Sequence, residues 1–556
     1  NLKGDAPAQG KMDISVVNIE ENAGQVPVNY VLPPGVTRII DPGQSQITQL
    51  NEQAMSLKVT DLQSGDARAV YKNSGMDMRT YKRLQMFVHA EKLIDDKTNL
   101  RDGDVSVFLR LGSDSKSNYY EYEVPLSLTE PGNYSTYNAQ DQEAVWPQSN
   151  MFDFPLSLFT DLKLERNAKK RMDNSTVTFQ TRYSSYDPDK NQNKVTIVGN
   201  PSLSDVRTMM IGVRNNSNAA KDIVVWVNEM RLTDFDQSGG WAAKANVNLG
   251  LSDIATLNIA GHVETVGFGG IDQSLTERRL DDYYQYNIAT MVELGRFLPE
   301  KVKLKAPLFY SITEQRTSPK YNPLDQDILL KDALDNAGSK AERDSISDAS
   351  IEKSTVESFS LSGVSFDIRS KNPMPYDPAN FSISYSYNRQ SKQDPTTEFE
   401  NTYDYRGSFT YSYTPFVKPF VPLKGLKSKS KHLKFLKEWE FNYLPNNIAF
   451  NTNMSRYYYE QQIRDVSGSG GMALPTSVSK SFLWDRQFSL TWNLTKSINL
   501  SLQTMTNAHI EEPVGVVNKQ LFPDEYEAWK DTVLTSIKNL GTPWNSNQTF
   551  NASYTA

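Results

Sequence analysis

Hydrophobic and polar residues alternate one by one through much of the C-terminal half of the chain. Ala245, Val247, Leu249 and Leu251 alternate with Lys244, Asn246, Asn248 and Gly250. A period of two places neighbouring side chains on opposite faces of a β-strand. Each such run therefore predicts a strand with one apolar and one polar face. The stripe resumes at Leu257, Ile259 and Val263, at Tyr284, Tyr286, Ile288, Val292 and Leu294, and at Val302, Leu304, Ala306, Leu308, Tyr310 and Ile312. Across Gly363 its phase shifts from Phe359 and Leu361 to Val364, Phe366 and Ile368, which predicts a bulge. Phe381, Ile383, Tyr385 and Tyr387 then alternate with Ser382, Ser384, Ser386 and Asn388. Further stripes follow at Tyr403–Tyr413, Ile448–Met454, Phe488–Leu494, Ile498–Leu502 and from Phe550. Residues 239–556 thus read as about eleven strands.

Upstream the pattern is more mixed. Val105, Val107, Leu109 and Leu111 alternate, as do Tyr120, Tyr122, Val124 and Leu126, then Val177, Phe179 and Tyr183, then Met209, Ile211 and Val213. Turn clusters such as Pro131-Gly132-Asn133 separate them. Leu158, Phe159 and Leu162 share a face at helical spacing, predicting one short helix over Pro155–Arg166. Residues 1–238 are expected to form a β-sandwich-like domain. The composition changes near Gly239-Gly240.

The connections of the second half alternate in length. Short ones are expected at 252–254, 296–300, 369–379 and 495–497, and long ones at 266–282, 314–355, 389–402, 464–486 and 509–548. The stretch 414–446 breaks the contrast. Two long loops carry helical signals: 314–355, around Ile328, Leu329, Ala333 and Leu334, and 509–548. In the latter, Trp529, Val533, Ile537 and Leu540 share a face between Pro523 and Gly541. Short turns at one rim and long loops at the other are the habit of outer-membrane barrels, whose short turns are periplasmic. The expected fold is all-β, an arc of a very large transmembrane antiparallel β-barrel preceded by the sandwich-like domain. The first strand would then enter from the long-loop side, which makes residues 1–238 an extracellular cap or insert.

Composition sharpens this picture. The hydrophobic fraction is 38% and the mean hydropathy −0.56, so no apolar run approaches the roughly 20 residues of a membrane helix. A barrel needs only alternation over about ten residues per strand. Zero cysteine excludes a disulfide scaffold, thiolate metal sites and thiol catalysis. A net charge of −7 gives no nucleic-acid footprint. The chain opens Asn1-Leu2-Lys3-Gly4-Asp5 without a signal core and ends within an alternating run, so it reads as a fragment of a longer protein.

No catalytic constellation emerges, and the expectation is of no enzyme, no cofactor and no metal. His89, His262, His432 and His509 lie outside ligand spacing of one another. Gly267-Phe268-Gly269-Gly270 lacks the spacing of a dinucleotide loop, and Ser467-Gly468-Ser469-Gly470-Gly471 is no nucleophile elbow. Asp187, Asp189, Asn191 and Asn193 alternate like calcium ligands but lack the central glycine and terminal glutamate of a calcium loop. Lys424, Lys427, Lys429, Lys431, Lys434 and Lys437 form a basic run suited to solvent, a periplasmic partner or lipid phosphate. The polar stripe, with Ser382, Ser384, Ser386, Asn499, Ser501 and Gln503 as its clearest members, is expected to face a wet lumen.

Several longer strings are more specific. Phe297-Leu298-Pro299-Glu300-Lys301 precedes Ser318-Pro319-Lys320-Tyr321-Asn322-Pro323-Leu324-Asp325, and Trp439–Asn447 precedes Leu483-Trp484-Asp485-Arg486-Gln487-Phe488. Val227-Asn228-Glu229-Met230-Arg231-Leu232 closes the first half. Together they resemble the SprA (Sov) family, giant outer-membrane translocons of the type 9 secretion system of Bacteroidetes, which also serve gliding motility. The resemblance runs most specifically from about 205 to 545, and this chain is far shorter than a whole member. It implies a single-chain barrel with a protein-conducting pore, an extracellular cap and a lateral opening. The partners it implies are the rest of the translocon chain, a PorV-like barrel protein, a periplasmic plug protein, secreted substrate proteins and lipids, with no nucleic acid. The competing reading is a secreted or surface adhesin of β-sandwiches, with Trp146 or Trp226 stacking on glycans.

Overall fold

The stripes at Val105–Leu111 and Tyr120–Leu126 become adjacent antiparallel strands whose apolar sides turn inward together. A computed structural model describes residues 10–38, 40–41, 48–172, 174–423, 425, 439–465, 474–520 and 522–555. The chain divides into two units. The first comprises Asn1–Gly239 with Ile271–Arg278 and Lys320–Ile346, and the second Gly240–Gly270, Arg279–Pro319 and Ser347–Ala556. His432, the six-lysine run and Ser467–Gly471 lie outside the described residues.

In the first unit the strands are β1 (Lys11–Asn18), β2 (Gln53–Leu62), β3 (Ala67–Met76), β4 (Tyr81–Glu91), β5 (Val105–Gly112) and β6 (Tyr119–Pro125). Helix α1 (Ala139–Val145), β7 (Phe152–Pro155), α2 (Ser157–Lys170), β8 (Tyr183–Tyr186), β9 (Lys194–Val198), β10 (Val206–Asn215) and β11 (Lys221–Phe235) follow. They form a five-stranded sheet, β1-β2-β11-β4-β7, and a six-stranded sheet, β8-β9-β6-β5-β10-β3. The two sheets share one core, built from Leu57 and Val59, alternate residues Leu84, Met86, Val88 and Ala90, Val105, Val107, Leu109 and Leu111, Tyr120, Tyr122 and Val124, and Val195, Val213 and Val225. Tyr122 stacks on Phe154 at 3.9 Å and Tyr120 on Phe159 at 4.9 Å. The expected short helix is α2, which drives Phe159 and Leu162 into that core. Helix α1 was not legible. It is short, and its start rests on Asn138, whose side chain accepts from the Gln140 amide.

A second cluster covers the other face of the five-stranded sheet with Val17, Tyr30, Phe87, Trp146 and Trp226. Trp146 and Trp226 are 2% and 0% exposed, and the Trp146 indole donates to the Val31 carbonyl at 2.9 Å. The expectation that these two tryptophans stand on the surface is therefore corrected: both are core. His89 belongs to the same cluster, 4.0 Å from Trp226, with Nδ1 2.8 Å from the Val145 carbonyl.

The Lys320–Ile346 segment seats itself in the first unit by buried ion pairs. Fully buried Lys163 donates to Pro201 O at 2.8 Å, to Asp325 at 2.5 Å and to Asp327 at 2.8 Å. Asp327 also accepts from the Tyr120 hydroxyl at 2.6 Å. Burial raises the Asp325 carboxyl, and Lys163 opposes that shift. Nearby, the Lys320 ammonium at 2.8 Å holds Asp236 down at about 2. These anchors explain a correction. Ile328 and Leu329 end a short strand, Asp325–Leu329, and only from Leu330 does the chain turn into helix α3 (Leu330–Asp335), followed by α4 (Lys340–Ser350).

The second unit is one meander. Its strands are β12 (Ala242–Leu251), β13 (Ala255–Glu264), β14 (Asp281–Glu293), β15 (Pro307–Pro319), β16 (Glu352–Phe366) and β17 (Phe381–Gln393). They continue as β18 (Thr397–Tyr413), β19 (Asn447–Ile463), β20 (Ser477–Asn493), β21 (Ile498–His509) and β22 (Thr542–Tyr554). Each pairs antiparallel with its sequence neighbour in one open sheet, and a short strand, Leu304–Lys305, adds to β16. Val302 and Ala306 fall outside the strands, because Lys303 adopts a left-handed backbone (φ 46°) at the end of a 3-10 turn. The connection expected at 389–402 shrinks to a turn at 394–396, with Asp394 accepting from the Thr396 and Thr397 amides. With 414–446 at the opposite rim, long and short connections do not separate cleanly between the two rims.

In the first unit, Glu121 is fully buried among Arg110 (2.5 Å), Arg182 (2.6 Å) and Arg214 (3.0 Å). Burial raises its carboxyl, but Arg214, Arg110 and Arg182 together outweigh burial and the net shift is downward. Removing one partner of a buried ionic cluster leaves the others uncompensated. Glu121→Gln is therefore expected to lower the stability of this unit by about 3–5 kcal/mol in urea unfolding. The native carboxyl's contribution is complete above pH 4.5 and is lost as pH falls below it. A variant as stable as the parent at pH 7 contradicts this.

Candidate functional site

Register across the second unit sorts its side chains onto two faces. One continuous row runs Leu251, Ala255, Val292, Leu308, Leu361, Tyr385, Gly407, Met454, Trp484 and Ala508 through ten strands. A neighbouring row on the same face runs Phe381, Tyr411, Phe450 and Phe488. Aromatic rings meet along this face, Phe381 with Tyr411 and Tyr387 with Tyr405, both at 5.1 Å. Such cross-strand pairs stabilise a sheet locally.

The opposite face is polar. Ser384, Ser408, Asn453, Asp485, Asn507 and Asn545 lie side by side. The Asn507 amide donates to Asp485 at 2.6 Å and the Asn545 amide to Asn507 at 3.2 Å. Following the register from β17 to β21 puts Ser382, Ser384, Ser386, Asn499, Ser501 and Gln503 all on this polar face. The six residues singled out from sequence are thus brought to one surface, although they lie on strands four hairpin steps apart.

The bulge expected at Gly363 is present. Register shifts between Leu361 and Val364, Gly363 takes φ +62°, and its amide donates to Ser384 Oγ at 2.9 Å. A glycine meets that left-handed backbone without the strain a Cβ would bring.

Little covers the apolar face. Among the described residues both hydrophobic core clusters consist of first-unit residues, and the second unit adds none to them. Ile383 remains 55% exposed and Tyr385 42%. At one rim helix α5 (Pro523–Lys538) lies near the sheet through Trp529 and Arg456, which both donate to Glu512 Oε1, at 2.6 and 2.9 Å. The Arg456 guanidinium lies 4.8 Å over the Trp529 ring. Val533 is the helix residue that becomes buried. Leu540, expected on the same helical face, instead lies past the helix end with φ +62° and 55% exposure.

The apolar face also has a break. Across β20, β21 and β22 one row reads Arg486, Thr506 and Ser546, and the next Phe488, Thr504 and Gln548. Sequence reading missed this interruption, because the apolar alternation of β21 is regular only over Ile498, Leu500 and Leu502. The signal was present in Thr504 and Thr506.

The remaining candidates resolve into local structure. Asp187 accepts from the Tyr122 hydroxyl at 2.6 Å and the Asp189 amide at 2.9 Å, and Asn193 donates to the same hydroxyl at 3.0 Å. These oxygens hold a hairpin turn rather than converge on a point. His262 sits 3.0 Å from Glu264 and edge-on to Tyr283. Gly267-Phe268 exchanges backbone hydrogen bonds with Arg279 in a loop. Among the described residues, no three or more histidine or acidic side chains gather as a metal site. No helix among them is long and apolar enough to cross a membrane, which leaves strands unaddressed.

Comparison with known proteins bears on the first unit and the start of the second. No curated protein sequence matches the chain. Residues 1–334 match the family model SprA_N, described as a motility related/secretion protein. This match spans more than half of the 556 residues, strands β1 to β11 of the first unit and the sheet of the second through β15. The chain belongs to the SprA_N family of motility-related and secretion proteins.

Proposed function

We propose that the second unit is an arc of a transmembrane β-barrel and that the chain forms part of the wall of a protein-conducting pore in a bacterial outer membrane. The observation that carries this reading is the apolar row through ten strands with no core cluster behind it among the described residues. In water such a row would be driven against a second layer. Against acyl chains it is already in an apolar solvent, while the serine and asparagine face borders water.

Closure follows from the same physics. The edge strands β12 and β22 each have one neighbour among the described residues. In hydrocarbon an unpaired strand edge leaves backbone groups unsatisfied, each costing several kcal/mol. Further strands, from the rest of a translocon chain, must therefore meet these edges. The polar break at β20–β22 marks a stretch less suited to lipid than the rest, and a PorV-like barrel protein is the partner proposed for that side. A periplasmic plug protein and the secreted substrates complete the proposed partners.

The wall does no covalent chemistry in this account. Ser382, Ser384, Ser386, Asn499, Ser501 and Gln503 would hydrate the passage and interact weakly with a moving chain, removing the cost of carrying polar groups through hydrocarbon. Secretion of folded or folding proteins fits the family's description as motility and secretion proteins.

Two experiments test this reading. Leu361→Arg, in the middle of the apolar row, is expected to cost about 2–4 kcal/mol of folding stability in bilayers, against little for Ser360→Arg on the other face. Equal costs at the two positions contradict the membrane assignment. For sidedness, the chain's lack of cysteine makes single-cysteine variants clean reporters. Tyr137→Cys in the first unit, 97% exposed, is expected to react with a membrane-impermeant maleimide on intact cells, which corresponds to an extracellular domain. Reaction only after the outer membrane is opened places that domain in the periplasm instead.

A further inference from the structure

The outer face of the six-stranded sheet in the first unit is unlike an ordinary solvated face. Side chains opposite to the core on β5, β6 and β10 are Phe108, Arg110, Glu121, Glu123 and Arg214, and all are buried. Arg110 and Arg214 lie over the Phe108 ring at 5.1 and 4.6 Å. Gly212 lets that ring lie flat, since a Cβ there would come within 2.4 Å of it. The ring, the glycine and the arginines make a rigid charged floor.

Above this floor is a cavity of about 410 Å³ whose walls include Arg182, Lys194, Arg214, Glu123, Tyr186 and Asn216. That volume falls within the roughly 300–1,000 Å³ of small-molecule sites. Its charges do not balance. Arg182, Lys194 and Arg214 line it against Glu123, three positive charges against one negative, an excess of two, while Arg110 and Glu121 pair off in the floor beneath.

Both carboxylates are already satisfied. Glu121 takes Arg110, Arg182 and Arg214, and Glu123 takes Arg214 and the Ser106 hydroxyl, the latter at 2.5 Å. The spare positive charge sits at the open side. The Lys194 ammonium, half-buried, has no hydrogen-bond or ion-pair partner among the described residues. Arg182 engages Glu121 through Nη2 alone, at 2.6 Å, so its other donors remain available. Register places Lys194 between Tyr186 and Glu123 on adjacent strands, which fixes its base at the cavity wall.

We propose that this cavity binds a doubly charged oxyanion, either a phosphate group or a pair of carboxylates. Arg182 and Lys194 supply the charge, and Tyr186 and Asn216 line the walls. A cation is disfavoured by the net charge. A neutral ligand would leave the two surplus charges unanswered, whereas a dianion answers both with charge-assisted hydrogen bonds. This site lies wholly within the first unit and does not depend on the membrane reading of the second.

The test is calorimetric titration of the full 556-residue chain, held in detergent, with inorganic phosphate and separately with succinate, against chloride as the singly charged control. Saturable binding of phosphate or succinate above chloride is expected. Lys194→Gln, which removes no contact within the described structure, is expected to weaken it by about tenfold or more at unchanged melting temperature, and Arg182→Gln to weaken it similarly with a lowered melting temperature, because it also takes a partner from Glu121. Preference for phosphate assigns a phosphate source, and preference for succinate a carboxylate source. The proposal is overturned if neither anion binds above chloride, or if both variants bind as tightly as the parent.

Discussion

An apolar stripe must be removed from water by something, and the two halves of this chain meet that requirement differently. In the first unit each sheet's stripe is covered by the other sheet, and Val107, Leu109, Tyr120 and Tyr122 disappear from solvent. In the second unit the stripe runs from Leu251 to Ala508 and finds no covering layer beyond a helix at one rim. Hydrophobic burial of a fully hidden Leu, Val or Phe contributes about 1.5–3 kcal/mol each. An eleven-stranded meander that forgoes that contribution needs an apolar surrounding from elsewhere. That requirement, together with the polar face behind it, turns a repetitive sheet into a candidate wall.

The same alternation of residues therefore has two structural outcomes, and what separates them is the character of the polar stripe. In β5 and β6 the outward positions are Arg110, Glu121 and Glu123, which pair with one another and sink into a dense ionic layer. In β17 to β22 they are mainly Ser, Thr and Asn, with Asp404, Arg406 and Asp485 among them, and they bond across strands singly and stay within reach of water. A layer of the first kind fixes one conformation and concentrates charge. A layer of the second kind is soft and only sparsely charged. Secretion through a pore calls for the second, and specific recognition of a charged group for the first.

Much of the second unit was legible because period two is a strong local signal. β12, β13, β17 and the Gly363 bulge follow directly from it, and so does the common face of the six polar residues. What was not legible depended on weak or distant signals. β17 and β18 extend through Arg389–Gln393, which is polar on both faces, and Thr397–Glu400, where Phe399 stands alone, so no stripe marks the strands there. Their true turn is set by one side chain, Asp394, capping two amides. The strand at Asp325–Leu329 depends on Lys163, more than 160 residues away, and no local pattern carries that contact. Trp146 and Trp226 were open to opposite readings because a large aromatic suits a core and a sugar platform equally well. Only the enclosing residues Tyr30, Phe87 and His89 decide it.

The central claim concerns which solvent each face meets, and β17 offers the sharpest place to ask. Spin labels introduced one at a time from Phe381 to Asn388 in bilayer-reconstituted protein would be relaxed by oxygen, which concentrates in lipid, or by a water-soluble nickel reagent. The account predicts strict alternation, with 381, 383, 385 and 387 open to oxygen and 382, 384 and 386 open to nickel. Labels at both sets relaxed by nickel alone, or odd positions shielded from both reagents, would contradict it.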